Sequence, residues 1–470
     1  MNKECKILIF IFLVALLIRV IFLFSYPTKW WDETVYANLG YDLSQNPFHY
    51  SYDGKWSDFV PDNLWPKAGF RAPLLPVLFA LIYFVKMDFL IELLMPIIGA
   101  LSCVLIYLIG KKLFNKEIAT YSAILLAVSY FHIYYSSKIL TDGLSVFFIL
   151  LSVLVFIKGY EEKNNKYKIL FGVVLALSLL TRYTALWTIP IFFIYLIIRD
   201  RNLKLLKDKY FWLSILVFLV VISPWLIYSY SAYGNIFGAL MHGNTAVNYW
   251  GGSQPWNFYI TNFFETFHIV GIISLVAILY IIYKKEFLKK EIFFILIWLI
   301  FLFVLTSTIV HKEPRYILSI FPAMCLLSGF LIEKIKKYKY LIFAIIIAWM
   351  LIYYSVNFSK EYRKSYTDTN DCFLQGNNFL KTLDKNILVI TDESPLVYYY
   401  TKRETGFYPG PWSISKLNNL VQSKGKKTYI FFTDFDMPMW REDIIKIKQD
   451  LDSNYKEVFN CKNKTYIYEV

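Results

Sequence analysis

Apolar runs near the length needed to cross a bilayer, about 17–25 residues, recur from one end of this chain to the other. Ile7–Phe24, Phe211–Tyr228 and Tyr340–Tyr354 are examples. Runs of that length and apolarity predict membrane-spanning helices. Short basic loops separate them: Lys111, Lys112 and Lys116; Lys158, Lys163, Lys166 and Lys168; Arg199, Arg201, Lys204, Lys207 and Lys209; Lys284, Lys285, Lys289 and Lys290; Lys334, Lys336, Lys337 and Lys339. Positive loops stay cytoplasmic, and placing all of these inside with the N-terminus requires about eleven crossings and an external C-terminus. The first run follows Lys3 and Lys6 but has no small-residue cleavage site, so it reads as a retained first helix. Pro73–Lys86 departs from the pattern, being short, interrupted by proline and flanked by Arg71 and Lys86. A full crossing there would turn the later basic loops outward, so it is predicted to be a re-entrant or interfacial helix within a long outer loop, residues 26–89.

Past Asn357 the rhythm changes. Strand-like runs, Asn386–Thr391, Thr428–Thr433 and Thr465–Val470, alternate with helix-like segments near Ser413–Ser423 and Arg441–Leu451. The predicted fold class is therefore a polytopic α-helical membrane protein with a small C-terminal extracytoplasmic α/β domain. The expected division is 1–356 for the transmembrane module, including the outer loop, and 357–470 for the appended domain.

Composition agrees with this reading. The 470 residues are 57% hydrophobic and only 18% charged, too apolar for a soluble chain of that length. The formal charge of +14 resides in the short loops, which argues for membrane topology and against nucleic-acid binding. Two sequons, Asn357-Phe-Ser359 and Asn463-Lys-Thr465, lie in the region assigned outside, where glycosylation takes place. Cys372 and Cys461 share that region; a disulfide and two free thiols are both open readings.

Several charged groups fall at span ends on the predicted outer side. The first outer loop opens with Trp30-Trp31-Asp32-Glu33. Asp32 can cap the helix expected over Thr34–Leu43, or serve as a general base toward an acceptor hydroxyl. Arg71, in Gly69-Phe70-Arg71-Ala72-Pro73, can hold a phosphate or anchor at lipid headgroups. Asp142 starts an apolar helix, and Arg182, in Thr181-Arg182-Tyr183, sits on a face where positive charge is not expected; a local anion would explain it. His311-Lys312-Glu313-Pro314-Arg315-Tyr316 concentrates cationic groups, which suits an anionic leaving group or a loop paired internally through Glu313. The five histidines do not have metal-ligand spacing. A divalent metal is possible in principle but has no supporting motif. Asp434-Phe-Asp436 has the form of a metal-binding DxD, for which a solvated loop is the plainer reading.

Taken together, Trp31-Asp32-Glu33-Thr34-Val35-Tyr36-Ala37, Phe70-Arg71-Ala72-Pro73-Leu74, Ile139-Leu140-Thr141-Asp142 and His311–Leu318 followed by Phe321-Pro322 resemble the GT-C glycosyltransferase superfamily. The first three are similar to its protein O-mannosyltransferase and aminoarabinose-transferase branch, the fourth to the histidine-lysine-glutamate motif of dolichol-dependent mannosyltransferases. The resemblance covers about the first 330 residues. It implies sugar transfer on the outer face from a polyprenyl-phosphate-linked donor to a protein, lipid or glycan acceptor. It further implies Asp32 as general base, Glu33 as its orienter or the acceptor's, and Asp142 in the same cavity. Arg71, Arg182, His311, Lys312 and Arg315 would hold the donor phosphate, with Glu313, Tyr316 and Tyr36 lining the cavity. Relatives often carry Lys or His where Arg71 stands, before two prolines rather than the one at Pro73. The competing reading is a transporter or flippase for lipid-linked sugars, which would be expected to line a path through the membrane with polar groups.

Overall fold

The computed structural model of the chain describes residues 3–52, 55, 68–200, 204–409, 412–435 and 444–470. Arg201, Asp436 and the start of the helix expected from Arg441 lie outside the described residues. The chain forms two compact units.

The first unit comprises Met1–Leu23, Phe70–Leu75 and Asp88–Phe358. Among the described residues, eight helices are long and apolar enough to cross a membrane, and a ninth arises if the bent pair Lys116–Val128 and Tyr130–Ser137 is one span. The expected figure of eleven rests on the charge pattern alone. Two of the spans are central: Thr141–Glu161 is 83% buried across its apolar window and Pro314–Lys334 is 78% buried. Lys209–Tyr233, at 17%, presents most of its surface outward, where in a bilayer it would meet lipid. Small residues let helix backbones approach closely. A Cβ on Gly329 would come within 3.0 Å of the Ile118 carbonyl, and one on Gly172 within 2.1 Å of the Ser214 carbonyl.

The basic loops collect at one end of this unit. Lys111 pairs with Glu4, Lys112 with Glu162, Lys168 with Asp208, Arg199 with Glu161, and Lys339 with Glu117. Lys290 also reaches Glu161, at 3.5 Å. Ion pairs near a surface contribute little stability; the value of these is that they join five loops that the sequence assigns to one side. The span Thr141–Glu161 ends in this belt and begins about 30 Å away, at the rise of an α-helix.

The second unit comprises Phe24–Gly69, Pro76–Met87 and Ser359–Val470. Its sheet contains β1 (Leu388–Ile390), β2 (Glu404–Gly406), β3 (Thr428–Thr433), β4 (Lys456–Cys461) and β5 (Thr465–Glu469), in the order β2-β1-β3-β5-β4. The pairs β1–β2 and β1–β3 are parallel, and β3–β5 and β4–β5 antiparallel. Alternate residues face opposite ways along a strand. Leu388, Ile390, Ile430 and Phe432 therefore pack with Leu417, Ile447 and Leu451, while Val389, Tyr429 and Phe431 pack with Phe373, Leu380 and Leu396. Cys372 and Cys461 are joined in a disulfide, Cα atoms 5.4 Å apart, which ties the helix Asp368–Thr382 to the end of β4.

Two helices of the expected outer loop belong to this unit. Leu74–Phe84 has 11 residues, about 16 Å of helix and too short to cross a bilayer by itself. Val77, Leu81 and Phe84 are exposed along it, as suits an interfacial segment. Trp31–Gln45 docks on the helix Ser394–Thr401: Asn38 Nδ2 donates to the Pro395 carbonyl (2.8 Å), and Tyr398 Oη donates to Asp42 (2.9 Å).

Candidate functional site

Three breaks in regular structure carry the charged groups of the first unit. Asp142 is the second residue of the helix Thr141–Phe156, where its carboxylate faces the positive end of the helix dipole. Arg182 is extended (φ −159°, ψ 130°) between the helix Asn165–Thr181 and the 3-10 turn Tyr183–Thr188, so the interruption projects its side chain out of the bundle's helical rows. Glu313 is likewise extended, and Pro314 then starts a 3-10 helix, Pro314–Ile320, that carries Arg315 and Tyr316. Proline suits that position because its φ is fixed and its missing N–H is not needed there.

These segments converge. Arg182 is ion-paired with Asp142, which is 3% exposed. The Arg182 guanidinium lies 4.8 Å from the centre of the Tyr316 ring, and that of Arg315 lies 5.6 Å from it. Arg315 is bound in turn by Glu313, with Nη2 at 2.9 Å from Oε1 and Nε at 2.7 Å from Oε2. Two arginine–carboxylate pairs thus flank one tyrosine ring. Glu313 also receives the Tyr316 hydroxyl (3.2 Å) and contacts His311 Nε2 (3.1 Å). Tyr259, wholly buried, donates to the Glu313 backbone carbonyl at 3.0 Å. Burial pushes the Tyr259 hydroxyl well above its ordinary pKa despite the nearby Arg182, so it keeps its proton.

Asp142, Arg182, Arg315 and Tyr316 line one pocket together with Ser145, Thr306, Ser319 and Trp187. Its volume of about 20 Å³ holds roughly one water molecule. Val146, Ile149, Leu302 and Leu318 form its apolar flank. The pocket lies at the opposite end of the span Thr141–Glu161 from the Glu161 ion pairs.

Not every expected residue joins it. Lys312 is 4% exposed and turned toward Gln254: Nζ donates to the Gln254 carbonyl (2.9 Å) and the backbone N–H to Oε1 (2.6 Å). His311 reaches the cluster through Glu313. Arg71 packs over the Phe70 ring at 5.9 Å, on a segment pinned by the Tyr183 hydroxyl, which donates to the Phe70 carbonyl at 2.7 Å. The internal pairing through Glu313 that the sequence offered as one reading is therefore present and holds Arg315, while Arg182 is held by Asp142. Gln254, Tyr259, Ser145 and Thr306 had no signal in sequence, since each gains its place only by contact with distant segments.

In the second unit, Asp32 is the second residue of Trp31–Gln45 rather than the cap before it. Glu33 does the capping, accepting the Trp30 N–H at 2.9 Å, and is fully buried. Asp32 is half-buried and stands four residues before half-buried Tyr36, which places both on one face of the helix. Trp31 stacks on Phe407, ring centres 5.9 Å apart. Among the described residues, no three His, Cys, Asp or Glu side chains gather as a metal site.

Residues 71–228 match the family model for dolichyl-phosphate-mannose-protein mannosyltransferase. An uncharacterized protein of Aquifex aeolicus is 27% identical over 54% of this chain and 51% of its own length. Human GPI alpha-1,2-mannosyltransferase 3 is 22% identical over 70% of this chain and 59% of its own. The chain thus spans little more than half the length of these relatives. The fold is that of ArnT from Cupriavidus metallidurans bound to undecaprenyl phosphate, with a TM-score of 0.72 at 10% identity, covering 98% of this chain and 97% of that one. The Archaeoglobus fulgidus oligosaccharyltransferase AglB, in complex with an inhibitory peptide and a dolichol-phosphate, aligns with a TM-score of 0.63 at 14% identity over 99% of this chain and 74% of its own.

Proposed function

We propose that this chain is a membrane glycosyltransferase of the GT-C type, which moves a sugar from a polyprenyl-phosphate donor to an acceptor hydroxyl; the partial family match, the mannosyltransferase relative and the shared fold support that reading. The observation that carries the reading is the pocket in which Arg182 and Arg315 meet around Tyr316. Guanidinium groups bind phosphate in bidentate fashion and hold negative charge as it develops on a leaving group. Both guanidinium groups are engaged by carboxylates, so donor binding exchanges Asp142 and Glu313 for phosphate oxygens. Asp142 and Glu313 keep the arginines aligned until that exchange.

In the proposed reaction the acceptor oxygen attacks the anomeric carbon as its proton passes to Asp32. The bond from that carbon to the phosphate oxygen breaks, and polyprenyl phosphate departs with the bonding electrons. A single displacement inverts the anomeric centre. Glu33, occupied at the helix start, holds the backbone that presents Asp32. The belt of basic loops, remote from the pocket, supports an extracytoplasmic site by the positive-inside preference, and with it a cytoplasmic N-terminus and an external C-terminal domain in the cell membrane.

The transporter reading has less support. The pocket's deepest lining on the central span is Ile149, beyond which Leu150, Val153, Leu154 and Phe156 are packed in an apolar core. The test is to incubate the purified protein with undecaprenyl-phosphate mannose and a hydroxyl acceptor extract and to follow polyprenyl phosphate release. Release that depends on Arg182 and Arg315 supports transfer; lipid-linked sugar crossing a vesicle without release supports transport.

A further inference from the structure

Arg19 takes no part in the proposed reaction, yet it is completely enclosed in the span Glu4–Leu23, roughly 22 Å along the helix from Glu4. A cation at such a depth is costly, and its partners show what it is for. Nη1 donates to the Ala15 carbonyl (2.8 Å) and the Ala127 carbonyl (3.4 Å), Nε to Ser136 Oγ (2.8 Å), and Nη2 to His132 Nδ1 (2.6 Å). Ala127 lies in the last turn of Lys116–Val128, where the chain bends by 60° into Tyr130–Ser137. Carbonyls at a helix C-terminus lack intrahelical donors and carry partial negative charge, and hydrocarbon offers them nothing. Arg19 caps the break.

His132 and Ser136 are four apart on the second arm of the bend and share one face. Ser136 in turn touches the helix that carries Asp142: a Cβ on Gly143 would stand 2.8 Å from Ser136 Cα. A Cβ on Gly99 would stand 2.6 Å from both Arg19 Nε and Ser136 Oγ, so glycine there leaves room for the contact. A continuous path runs from Arg19 through Ser136 to the backbone at Gly143, the residue after Asp142, and from Asp142 to Arg182.

We propose that Arg19 is a positioning residue: by capping the bent helix and gripping Ser136 it fixes the backbone that aims Asp142 and, through it, Arg182. The consequence for donor binding rests on the transferase reading; the consequence for backbone order does not. The experiment compares the full-length wild type with Arg19→Met, Arg19→Lys and the milder Ser136→Ala in nanodiscs. Hydrogen exchange is read at residues 127–143, with residues 321–334 as internal control, and undecaprenyl phosphate binding is measured on the same samples. Arg19→Met is expected to speed exchange at 127–143 about tenfold while sparing 321–334, and to weaken binding about tenfold. Ser136→Ala should do the same to a lesser degree, and Arg19→Lys should restore most of both. Unchanged exchange at 127–143 in both Arg19→Met and Ser136→Ala overturns the proposal, as does wild-type binding when exchange has risen. Absence of binding in the wild type itself, with the exchange pattern as expected, defeats the transferase reading and leaves the positioning of this segment supported.

Discussion

The guanidinium of Arg182 is ion-paired to the carboxylate of Asp142, 40 positions earlier in the chain and almost fully withdrawn from solvent. Each is placed by a local break, Asp142 at a helix start and Arg182 at a helix interruption. The pair neutralises the pocket and keeps the arginine oriented while no anion is bound. It also sets a competition, because the same guanidinium is the proposed ligand of the donor phosphate.

Arg182→Met removes the partner of a buried carboxylate, which costs about 3–5 kcal/mol, and should lower the yield of folded protein. The double variant Arg182→Met, Asp142→Leu removes both charges and should recover yield, since replacing a buried pair by apolar groups is often neutral or better. Undecaprenyl phosphate binding should stay lost in the double variant. Size-exclusion profiles and a lipid-phosphate binding titration read the two effects separately.

Asp142→Asn keeps the shape but drops the competing charge. Affinity for undecaprenyl phosphate is expected to rise severalfold while transfer falls, because the arginine is less firmly aimed in the transition state. A titration alongside kcat measures this opposition.

Glu313 gathers contacts from His311, Arg315 and Tyr316. Charge-assisted hydrogen bonds contribute about 1.5–3 kcal/mol each, so Glu313→Gln should reduce kcat/KM by roughly 10- to 100-fold. The same substitution at exposed Glu162 should leave kcat/KM near the wild-type value.

The Cys372–Cys461 bridge closes a sequence separation of 89 residues. In the chain-entropy account such a loop contributes about 4–5 kcal/mol. Replacing both cysteines with serine should make the C-terminal sheet the first region lost on heating, detected as new protease sites after Ser359 with the transmembrane fragment intact.

Acid should weaken the same domain through Asp452. Partial burial raises its pKa, but the Lys448 ammonium (2.5 Å) and the Tyr468 hydroxyl (2.8 Å) outweigh that and hold it below its ordinary 3.8. A depressed carboxylate stabilises above its unfolded pKa, and that contribution is lost as pH falls from about 3.8 through the folded value. Asp452→Asn should flatten the acid limb of the domain's unfolding curve, followed by far-ultraviolet circular dichroism.

Much of this architecture was readable in sequence for physical reasons. Lipid-facing helices need uninterrupted apolar runs, and β1, β3 and β5 sit inside the sheet with apolar residues on both faces. β2 and β4 escaped notice because they are the sheet's edges, where Glu404, Lys456 and Glu457 are tolerated and even useful. Asp142, Arg182 and Arg315 stood out as charges at span ends, yet their convergence depends on contacts of Arg182 with Asp142, 40 positions away, and with the Tyr316 ring, farther still. Lys312 looked equivalent to Arg315 by spacing; Gln254, 58 positions away, is what turns it aside. The sequence offered Asp32 as the helix cap, and helix geometry gives the cap to Glu33 instead.

Asp32 carries the central claim, and its test is transfer itself. The full-length protein and its Asp32→Asn variant are each given undecaprenyl-phosphate mannose and a hydroxyl acceptor extract, and glycosylated product is counted. The account predicts wild-type transfer and a loss of at least about 1,000-fold in the variant, the upper range for a general base and its positioning, with undecaprenyl phosphate binding unchanged. Transfer by Asp32→Asn at the wild-type rate would contradict it.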